Sequence, residues 1–444
     1  MSIVQSLNSD SSMNLSSSDY EDVFEDISAD TTEKYHQIMN SSKTLLDKAE
    51  VDKIINEIKI DKNIILNKSK HMDYLFYFLL SNKKLPTQFN QLEASNPWIL
   101  YWLINSYKVM KELEINEKTS PMPKDEIDAV LKRETILKLS KFQQDNGKGG
   151  FAGGFNQMPH LATNYSSILA LCLTGNLKKV DSSKITKWFD SLVVSLNDHS
   201  CKLKTSQPCG ETDSRSIYCY LVAAKLLNID IPLILLERLW DHVSDLQSDF
   251  EGGLNGALKT DESHGGYTYC TLSSIVILLE LLADKKPETF KEKKLHDVIN
   301  IDCFLQWLSL RQDYINGGLN GRSNKLVDGC YAFWIGACGV ILKIYGYINP
   351  IDMPRLKEYI LFYCQDNDKE LPGLRDKPGK NSDFYHTNYI LMGLSLCEYN
   401  EQFSIGEGGS LDVNYREHES DINKDVHPVN PLYGVPIYVL QSKK

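Results

Sequence analysis

The phrase QSDFEGGLNG begins at Gln247 and recurs as QDYINGGLNG from Gln312. A related copy, QDNGKGGFAGG, starts at Gln144, and a decayed copy, QDNDKELPGLRDKPG, starts at Gln365. Successive copies lie 103, 65 and 53 residues apart, and QPCGETD around Gln207 is a candidate for a missing copy. A repeat of roughly 50 residues indicates stacked supersecondary units.

Each glycine-rich phrase is followed by a run that suits a helix and carries a tyrosine near its start: Tyr165, Tyr218, Tyr267, Tyr331 and Tyr385. In DSRSIYCYLVAAKLLNI, Ile217 and Leu221 share one helical stripe, and Arg215 and Tyr218 share another. An inner helix of a closed ring needs two such stripes, because it packs on an outer partner and also faces a central cavity. Convincing strand alternation is absent. We therefore predict an all-α fold, an α/α toroid of about six helical hairpins, with the glycine-rich loops at one end of the inner helices.

The beginning of the chain differs in composition from the rest. Its first thirty residues hold seven acidic residues and no lysine or arginine, and they are rich in serine. Such a segment buries too little apolar surface to offset the entropy of ordering. We predict a disordered acidic tail over residues 1–45 and the toroid domain over residues 46–444. The whole chain has a net charge of −11, and residues 31–444 carry −4 of it. Because a nearly neutral body offers no broad basic surface for a phosphate backbone, nucleic acid is disfavoured as a partner.

Cysteine usage and hydropathy predict the compartment. The ten cysteines show no CxxC spacing, and no secretory signal opens the sequence, which is typical of a reducing cytosol. The longest unbroken apolar run, residues 217–224, has eight residues, whereas a bilayer requires about 20. We predict a cytoplasmic protein without a membrane-spanning helix.

The segment GRSNKLVDGCYAFW, residues 321–334, holds a candidate metal site. Asp328 and Cys330 can reach one ion only if Gly329 lies in a turn or at a helix start. His386 follows Cys330 by 56 residues, close to one repeat, which would place it on the neighbouring inner helix. Zinc accepts this mixture of oxygen, sulfur and nitrogen, and three protein ligands leave a fourth position open, as in catalytic sites. On the residues alone, a capping aspartate with a buried cysteine and histidine is the alternative.

A second constellation is rich in groups that bind anions. Arg322 and Lys325 would share a face if their segment is helical. Together with His264 and Tyr331 they would make a site suited to a diphosphate. Taken alone, His264 beside two glycines is as well explained as a loop cap.

Aromatic residues cluster in the phrase NPWILYW. Trp98 and Trp102 lie about one helical turn apart, and Trp334 lies about one turn after Cys330. Such a stripe is ordinarily core, but in a toroid it could equally line an apolar tunnel.

Taken together and in order, five phrases resemble the β subunit of protein farnesyltransferase over about residues 90–400: PWILYW, CGETDSRSIYC, ESHGGYTYC, RSNKLVDGCYAFW and LPGLRDKPGKNSDFYHTNY. HPVNPLYGVP, from His427, is similar to that family's C-terminal segment. The resemblance implies transfer of farnesyl from farnesyl diphosphate to the zinc-bound cysteine thiolate of a C-terminal Cys-a-a-X motif. It also implies an obligate heterodimer with an α subunit, and substrates such as small GTPases.

The resemblance further implies roles for individual residues. It implies one zinc ion per β subunit, bound by Asp328, Cys330 and His386. Magnesium would be assisted by Asp376, which Lys377 and Lys380 flank. Lys325 and Tyr331 would act in catalysis, and the diphosphate would be bound by His264, Arg322, Lys325 and Tyr331. The isoprenoid would contact Trp98, Arg215, Tyr218, Tyr267, Cys270 and Trp334. The peptide would contact Trp98, Trp102, His160, Ala162 and Tyr385.

Specificity within the family rests on few residues. A bulky Trp98 would close the far end of the tunnel, and Tyr385 also favours farnesyl, because the geranylgeranyl-transferring relatives carry smaller or aliphatic residues there. Thr163 stands where the family usually has proline, which leaves the preference at the X position open. The alternatives are the β subunit of geranylgeranyltransferase type I and a non-catalytic helical-repeat scaffold. A terpenoid cyclase is disfavoured, because the sequence contains no two adjacent aspartates.

Overall fold

The computed structural model describes residues 43–58, 64–80, 87–111, 122–143, 149–195, 199–366, 372–406 and 409–442. The chain divides into two compact units, Met1–Ile58 and Lys59–Lys444. The described part of the first unit contains helix α1 (Lys43–Glu57). The predicted tail over residues 1–45 falls outside the described residues, except for the first three residues of α1, and its disorder stays a prediction.

The second unit is built mainly from helices. In chain order these are α2 (Lys68–Leu79), α3 (Asn96–Val109), α4 (Lys124–Ser140), α5 (Leu161–Leu173), α6 (Ser182–Asp190), α7 (Ser214–Leu227), α8 (Leu233–Val243), α9 (Gly265–Lys285), α10 (Pro287–Phe290), α11 (Ile301–Ser309), α12 (Tyr331–Ile344), α13 (Met353–Tyr363), α14 (Phe384–Tyr399) and α15 (Ile437–Gln441). Two short antiparallel hairpins accompany them: β1 (Val193–Ser195) with β2 (Cys201–Leu203), and β3 (Phe403–Gly406) with β4 (Gly409–Tyr415).

Within the described residues, six helices form a closed ring. In order α3, α5, α7, α9, α12 and α14 each pack on the next, and α14 packs back on α3. These inner helices are covered on both sides, and in α5 every residue except Ala162 is buried. The helices between them are buried along one stripe only, as in α6, where Ile185, Trp188 and Phe189 are buried at helical spacing. The predicted α/α toroid is confirmed.

The repeated glutamine joins consecutive outer helices. Gln247 Nε2 donates to the carbonyl oxygen of Asn300, the N-cap of α11, at 3.0 Å, and Gln247 Oε1 accepts from the Asn300 amide at 2.7 Å. Gln312 makes the same pair of bonds, 3.0 and 2.9 Å, with Asp352, the N-cap of α13. Each glutamine therefore ties the end of one outer helix to the start of the next.

Gln365 closes the ring with the same device. Its Oε1 accepts from the amide of Asn67, the N-cap of α2, at 2.9 Å, although the two residues are 298 positions apart. Its Nε2 donates to the carbonyl oxygen of Ile65 at 3.2 Å. The decayed fourth copy therefore joins the last outer helix to the first.

Two details of the repeat concern its first and its missing copy. In the first copy Gln143 donates to the Gly149 carbonyl at 3.0 Å, as Gln247 donates to Gly252, whereas Gln144 lies outside the described residues. The stretch around Gln207 follows the β1–β2 hairpin, in which Val193 pairs with Leu203, and it precedes the inner helix α7. Its assignment as the missing copy stays a prediction.

The paired glycines are required by close packing. Gly252 has a φ of +84°, and a Cβ there would lie 2.5 Å from the carbonyl oxygen of Cys303 on α11. A Cβ on Gly253 would lie 2.6 Å from the ring of Trp307. Since only glycine fits both positions, the double glycine marks the point where each loop meets the next outer helix.

One described helix, α9, has the length and apolar composition of a membrane span, but it is an inner helix of the ring and most of it is buried within the protein.

The C-terminal segment fills the interior of the ring. We call residues 427–436 the plug; Val429 and Pro436 pair across it. Its Gly434 carbonyl accepts from the hydroxyl of Tyr101 on α3 at 2.9 Å, and its Leu432 carbonyl accepts from Tyr218 on α7 at 2.9 Å. Because these helices lie in different parts of the ring, the plug runs between them, inside the ring.

Candidate active site

Asp328, Cys330 and His386 converge, with one ligand atom from each lying within 4.8 Å of the others. Gly329 lies in the turn that precedes α12, so Asp328 and Cys330 point to the same place. That turn is fixed because the Gly329 amide donates to the Asp376 carbonyl at 2.8 Å. His386 lies in the first turn of α14, with Nε2 3.2 Å from Asp328 Oδ1.

Asp383 fixes the orientation of the His386 ring. It is the N-cap of α14, and its Oδ1 accepts from the His386 amide at 2.8 Å. Its Oδ2 lies 2.6 Å from His386 Nδ1, which leaves Nε2 to face Asp328 and Cys330. A carboxylate behind the outer nitrogen of a histidine is the usual support of a metal-binding imidazole.

The electrostatics of this cluster favour a cation. Burial lowers the pKa of His386, but hydrogen bonds and charges of Asp328 and Asp383 outweigh it and raise the pKa to about 10. Burial and the Asp328 charge raise the pKa of the Cys330 thiol. His386 Nε2 is also buried, with Asp328 Oδ1 3.2 Å away. A zinc ion would satisfy this nitrogen, the thiol and the carboxylate together, so the donor set fits the metal.

Changing Asp383 to asparagine tests this supporting role. Asparagine keeps a capping oxygen for the His386 amide but loses the carboxylate charge behind Nδ1. We expect zinc affinity to fall by about 10- to 100-fold, the range found for such outer partners, with helix content unchanged. Competition with a chelator measures this. An unchanged affinity would mean that Asp383 acts only as a helix cap.

His264 and Tyr331 meet across two inner helices. Tyr331 Oη lies 3.0 Å from His264 Nε2, and His264 is the N-cap of α9. His264 Nδ1 accepts from the Gly266 amide at 3.1 Å, so the proton of the neutral ring lies on Nε2. Burial and the charge of Arg322 lower the pKa of His264. This pair therefore offers neutral hydrogen-bond donors near the start of α12.

The condition for Arg322 and Lys325 to share a helical face is not met. Residues 321–327 form no helix, and Asn324, in a turn with Ser323, has a φ of +58°. Arg322 donates to Glu262 Oε2 at 2.5 Å, and Lys325 is exposed. Both cations therefore lie on a loop beside α12.

Asp376 lies next to the cluster of Asp328, Cys330 and His386 through its backbone contact with Gly329. Its Oδ2 forms an ion pair with Lys377, and its Oδ1 is buried without a hydrogen bond among the described residues. Burial and the Asp328 charge raise the pKa of Asp376. The free Oδ1 is a carboxylate oxygen that a magnesium ion could use. Lys380 is exposed.

A belt of aromatic rings lines the inner helices. Neighbouring ring centroids lie 4.4 to 5.7 Å apart, and the belt closes on itself. Its members, in order, are Trp102, Trp98, Tyr165, Tyr218, Tyr269, Trp334, Tyr389 and Tyr385. At Tyr385 the belt reaches the metal cluster, since that ring lies 5.0 Å from the ring of His386. An apolar wall therefore borders the candidate metal site.

Sequence reasoning missed Tyr269 and Tyr389 as members of this wall. Tyr389 follows Tyr385 by one helical turn, and Tyr269 stands two positions after Tyr267. Tyr267 instead packs beneath the guanidinium of Arg215, 5.1 Å from the ring centre. An aromatic at the fifth residue of an inner helix, as in Tyr165, Tyr218 and Tyr269, is the signal that could have found the belt.

The other predicted contact residues lie at the starts of inner helices. Arg215, half exposed in its side chain, makes two bonds to Asp213, at 2.9 and 2.7 Å. Cys270 is buried on α9. His160, the N-cap of α5, accepts from the Ala162 amide at 3.1 Å.

Comparison with known proteins identifies the family. Residues 66–435 match the family described as "Prenyltransferase alpha-alpha toroid domain". The chain is 35% identical to "Protein farnesyltransferase subunit beta" of Saccharomyces cerevisiae, covering 94% of this chain and 86% of that protein. It is 34% identical to the protein of the same name from Schizosaccharomyces pombe, covering 83% and 87%.

A solved structure shares the fold. "Candida albicans protein geranylgeranyltransferase-I complexed with GGPP" matches with a TM-score of 0.63 and 19% identity, covering 85% of this chain and 98% of that chain. The chain therefore belongs to the family of protein farnesyltransferase β subunits.

Proposed function

We propose that this chain is the catalytic subunit that transfers farnesyl from farnesyl diphosphate to the cysteine sulfur of a C-terminal Cys-a-a-X motif. The observation that carries the proposal is the convergence of Asp328, Cys330 and His386 within 4.8 Å beside the aromatic belt. A polar corner for a thiol next to an apolar wall for a prenyl chain is what this reaction needs.

Asp328, Cys330 and His386 would hold zinc and leave a position for the peptide sulfur. Zinc there would supply a thiolate at neutral pH, where a free thiol with a pKa of about 8.5 is only about 3% ionised. Cys330 is committed as a ligand, so the attacking sulfur belongs to the substrate. The belt would hold the prenyl chain and exclude water, which brings its reacting carbon close to the sulfur.

The leaving diphosphate gains charge as its bond to carbon breaks. The His264–Tyr331 pair and the loop cations Arg322 and Lys325 would stabilise that charge where it develops. Asp376 would hold a magnesium ion through its free Oδ1, with Lys377 beside it.

The choice of farnesyl rests on Trp98. Its ring lies 5.7 Å from Tyr165 and 5.5 Å from Trp102, so it occupies space between two inner helices. We expect Trp98→Ala to open that space and raise the use of geranylgeranyl diphosphate relative to farnesyl diphosphate by about tenfold or more, since each methylene that an apolar pocket accepts or rejects is worth about 1–3 kcal/mol. Competition between the two diphosphates measures the ratio. An unchanged ratio would mean that Trp98 does not limit the prenyl length, and a wild-type preference for geranylgeranyl diphosphate would favour the alternative, a geranylgeranyltransferase type I β subunit.

The printed name of the relatives, "subunit beta", implies a partner, and we propose an α subunit that forms an obligate heterodimer with this chain in the cytoplasm. The test is transfer of labelled farnesyl to a Cys-a-a-X peptide by the co-expressed complex, with this chain alone as the comparison. We expect transfer by the complex and little by the single chain. A non-catalytic scaffold would instead carry no stoichiometric zinc and transfer nothing in either form.

A further inference from the structure

We propose that the β3–β4 hairpin is a positioning element that holds the plug at a fixed height and so sets the depth of the prenyl tunnel. This inference rests on the proposed function. The hairpin belongs to the polar stretch after Glu398, which has no counterpart in the sequence motifs that indicate the family. The prediction to be tested is a change in the prenyl length that the protein accepts.

Ser410, in strand β4, connects the hairpin to the helical ring. It is fully buried and its amide donates to Glu280 Oε2 at 2.7 Å. Glu280 lies on α9 and forms an ion pair with Lys225 on α7. The hairpin is therefore anchored to two inner helices of the ring.

The same serine holds the plug by two further bonds. Its Oγ shares a hydrogen bond of 2.9 Å with the hydroxyl of Tyr433, and its carbonyl accepts from Asn430 Nδ2 at 3.0 Å. Tyr433 and Asn430 are both fully buried. Ser410 thus uses its amide on the ring and its two oxygens on the plug.

Asn430 passes this restraint to the tip of the plug. Its side-chain Oδ1 accepts from the backbone amides of Leu432 at 2.9 Å and Tyr433 at 3.3 Å. The backbone amide of Asn430 donates to the Val435 carbonyl at 2.9 Å. The tip therefore has one shape, fixed by a side chain that the hairpin itself holds.

The tip of the plug, residues 430–433, accepts hydrogen bonds from two members of the aromatic belt. The hydroxyl of Tyr218 donates to the Leu432 carbonyl at 2.9 Å, and the hydroxyl of Tyr269 donates to the Pro431 carbonyl at 3.0 Å. Both tyrosines are belt members. A continuous set of hydrogen bonds therefore runs from the hairpin through the plug to the wall that would hold the prenyl chain.

A prenyl chain longer by five carbons needs more depth than a farnesyl chain. If the hairpin fixes the plug, removing the Ser410–Tyr433 hydrogen bond should let the plug shift away from the aromatic belt. The longer chain could then be admitted. The two residues touch neither the metal cluster nor the diphosphate donors, so transfer of farnesyl itself should change little.

The experiment uses the zinc-loaded complex with the α subunit and three variants, Ser410→Ala, Tyr433→Phe and the double variant. Tyr415→Phe is the matched control, because it removes from the same hairpin a hydroxyl that donates to Glu417 Oε1 at 3.0 Å, outside the plug. The readout is kcat/KM for farnesyl diphosphate divided by kcat/KM for geranylgeranyl diphosphate. We expect each single change to lower this ratio by about two- to tenfold, the range for one hydrogen bond.

The double variant should lower the ratio no further than either single variant, because both remove the same bond. Equal ratios in wild type and all variants, additive effects, or an equal shift in Tyr415→Phe would overturn the inference. If Ser410→Ala fails to fold, Tyr433→Phe alone carries the test. A wild-type complex that transfers no prenyl group would overturn the proposed function, and the inference with it.

Discussion

Replacing His386 with alanine is expected to remove stoichiometric zinc and to lower farnesyl transfer by at least about thirtyfold. The factor follows from thiol chemistry, since a thiol of pKa about 8.5 is only about 3% ionised at pH 7. Loss of positioning beside the belt would add to it. Metal analysis and single-turnover transfer by the complex measure both effects.

His296→Ala is the matched control. His296 is an exposed histidine that bonds the hydroxyl of Tyr347 at 2.8 Å on the outer surface. We expect it to keep its zinc and its rate. A His386→Ala complex with full zinc and full rate would mean that the three converging side chains do not form the metal site.

Replacing Arg322 with alanine is expected to slow transfer by about 100-fold while zinc content stays unchanged. Removing one donor from a site of developing negative charge costs about 10²- to 10³-fold, and the lower figure applies because the Arg322 side chain is 41% exposed. The measurement is the single-turnover rate with saturating peptide, alongside metal analysis.

Glu262→Gln is the control, because it removes the ion pair with Arg322 but keeps the guanidinium. An exposed pair of this kind contributes little to stability, so both variants should fold. Loss of zinc in Arg322→Ala, or an equally slow Glu262→Gln, would contradict the separate roles of the diphosphate and metal residues.

The fold could be predicted because its signal is local and repeated. The double glycine marks the contact of a loop with an outer helix, as at Gly252 and Gly253, and an apolar stripe beside an aromatic and basic one marks an inner helix, as in α7. The geometry at Gly329 could also be predicted on the assumption that Asp328 and Cys330 bind one ion, which requires a turn or a helix start there, and Gly329 lies in the turn before α12. The 56-residue step to His386 matches the repeat that places α14 beside α12.

What could not be predicted depends on contacts between distant positions. Nothing in the local sequence links Gln365 to Asn67, or the Tyr218 hydroxyl to the Leu432 carbonyl 214 positions away. The β3–β4 hairpin lies outside the repeat, so periodicity says nothing of it. The three-residue spacing of Arg322 and Lys325 suits a helix as well as a loop. In the structure the positive φ of Asn324, between them, is incompatible with a continuous helix.

X-ray absorption at the zinc edge of the complex shows directly whether Cys330 binds the metal. We predict one sulfur ligand at about 2.3 Å and nitrogen or oxygen ligands at about 2.0–2.2 Å without peptide, and a second sulfur when a Cys-a-a-X peptide is added. A spectrum without sulfur, or one that the peptide leaves unchanged, would contradict a site in which Cys330 binds the metal and the substrate cysteine joins it.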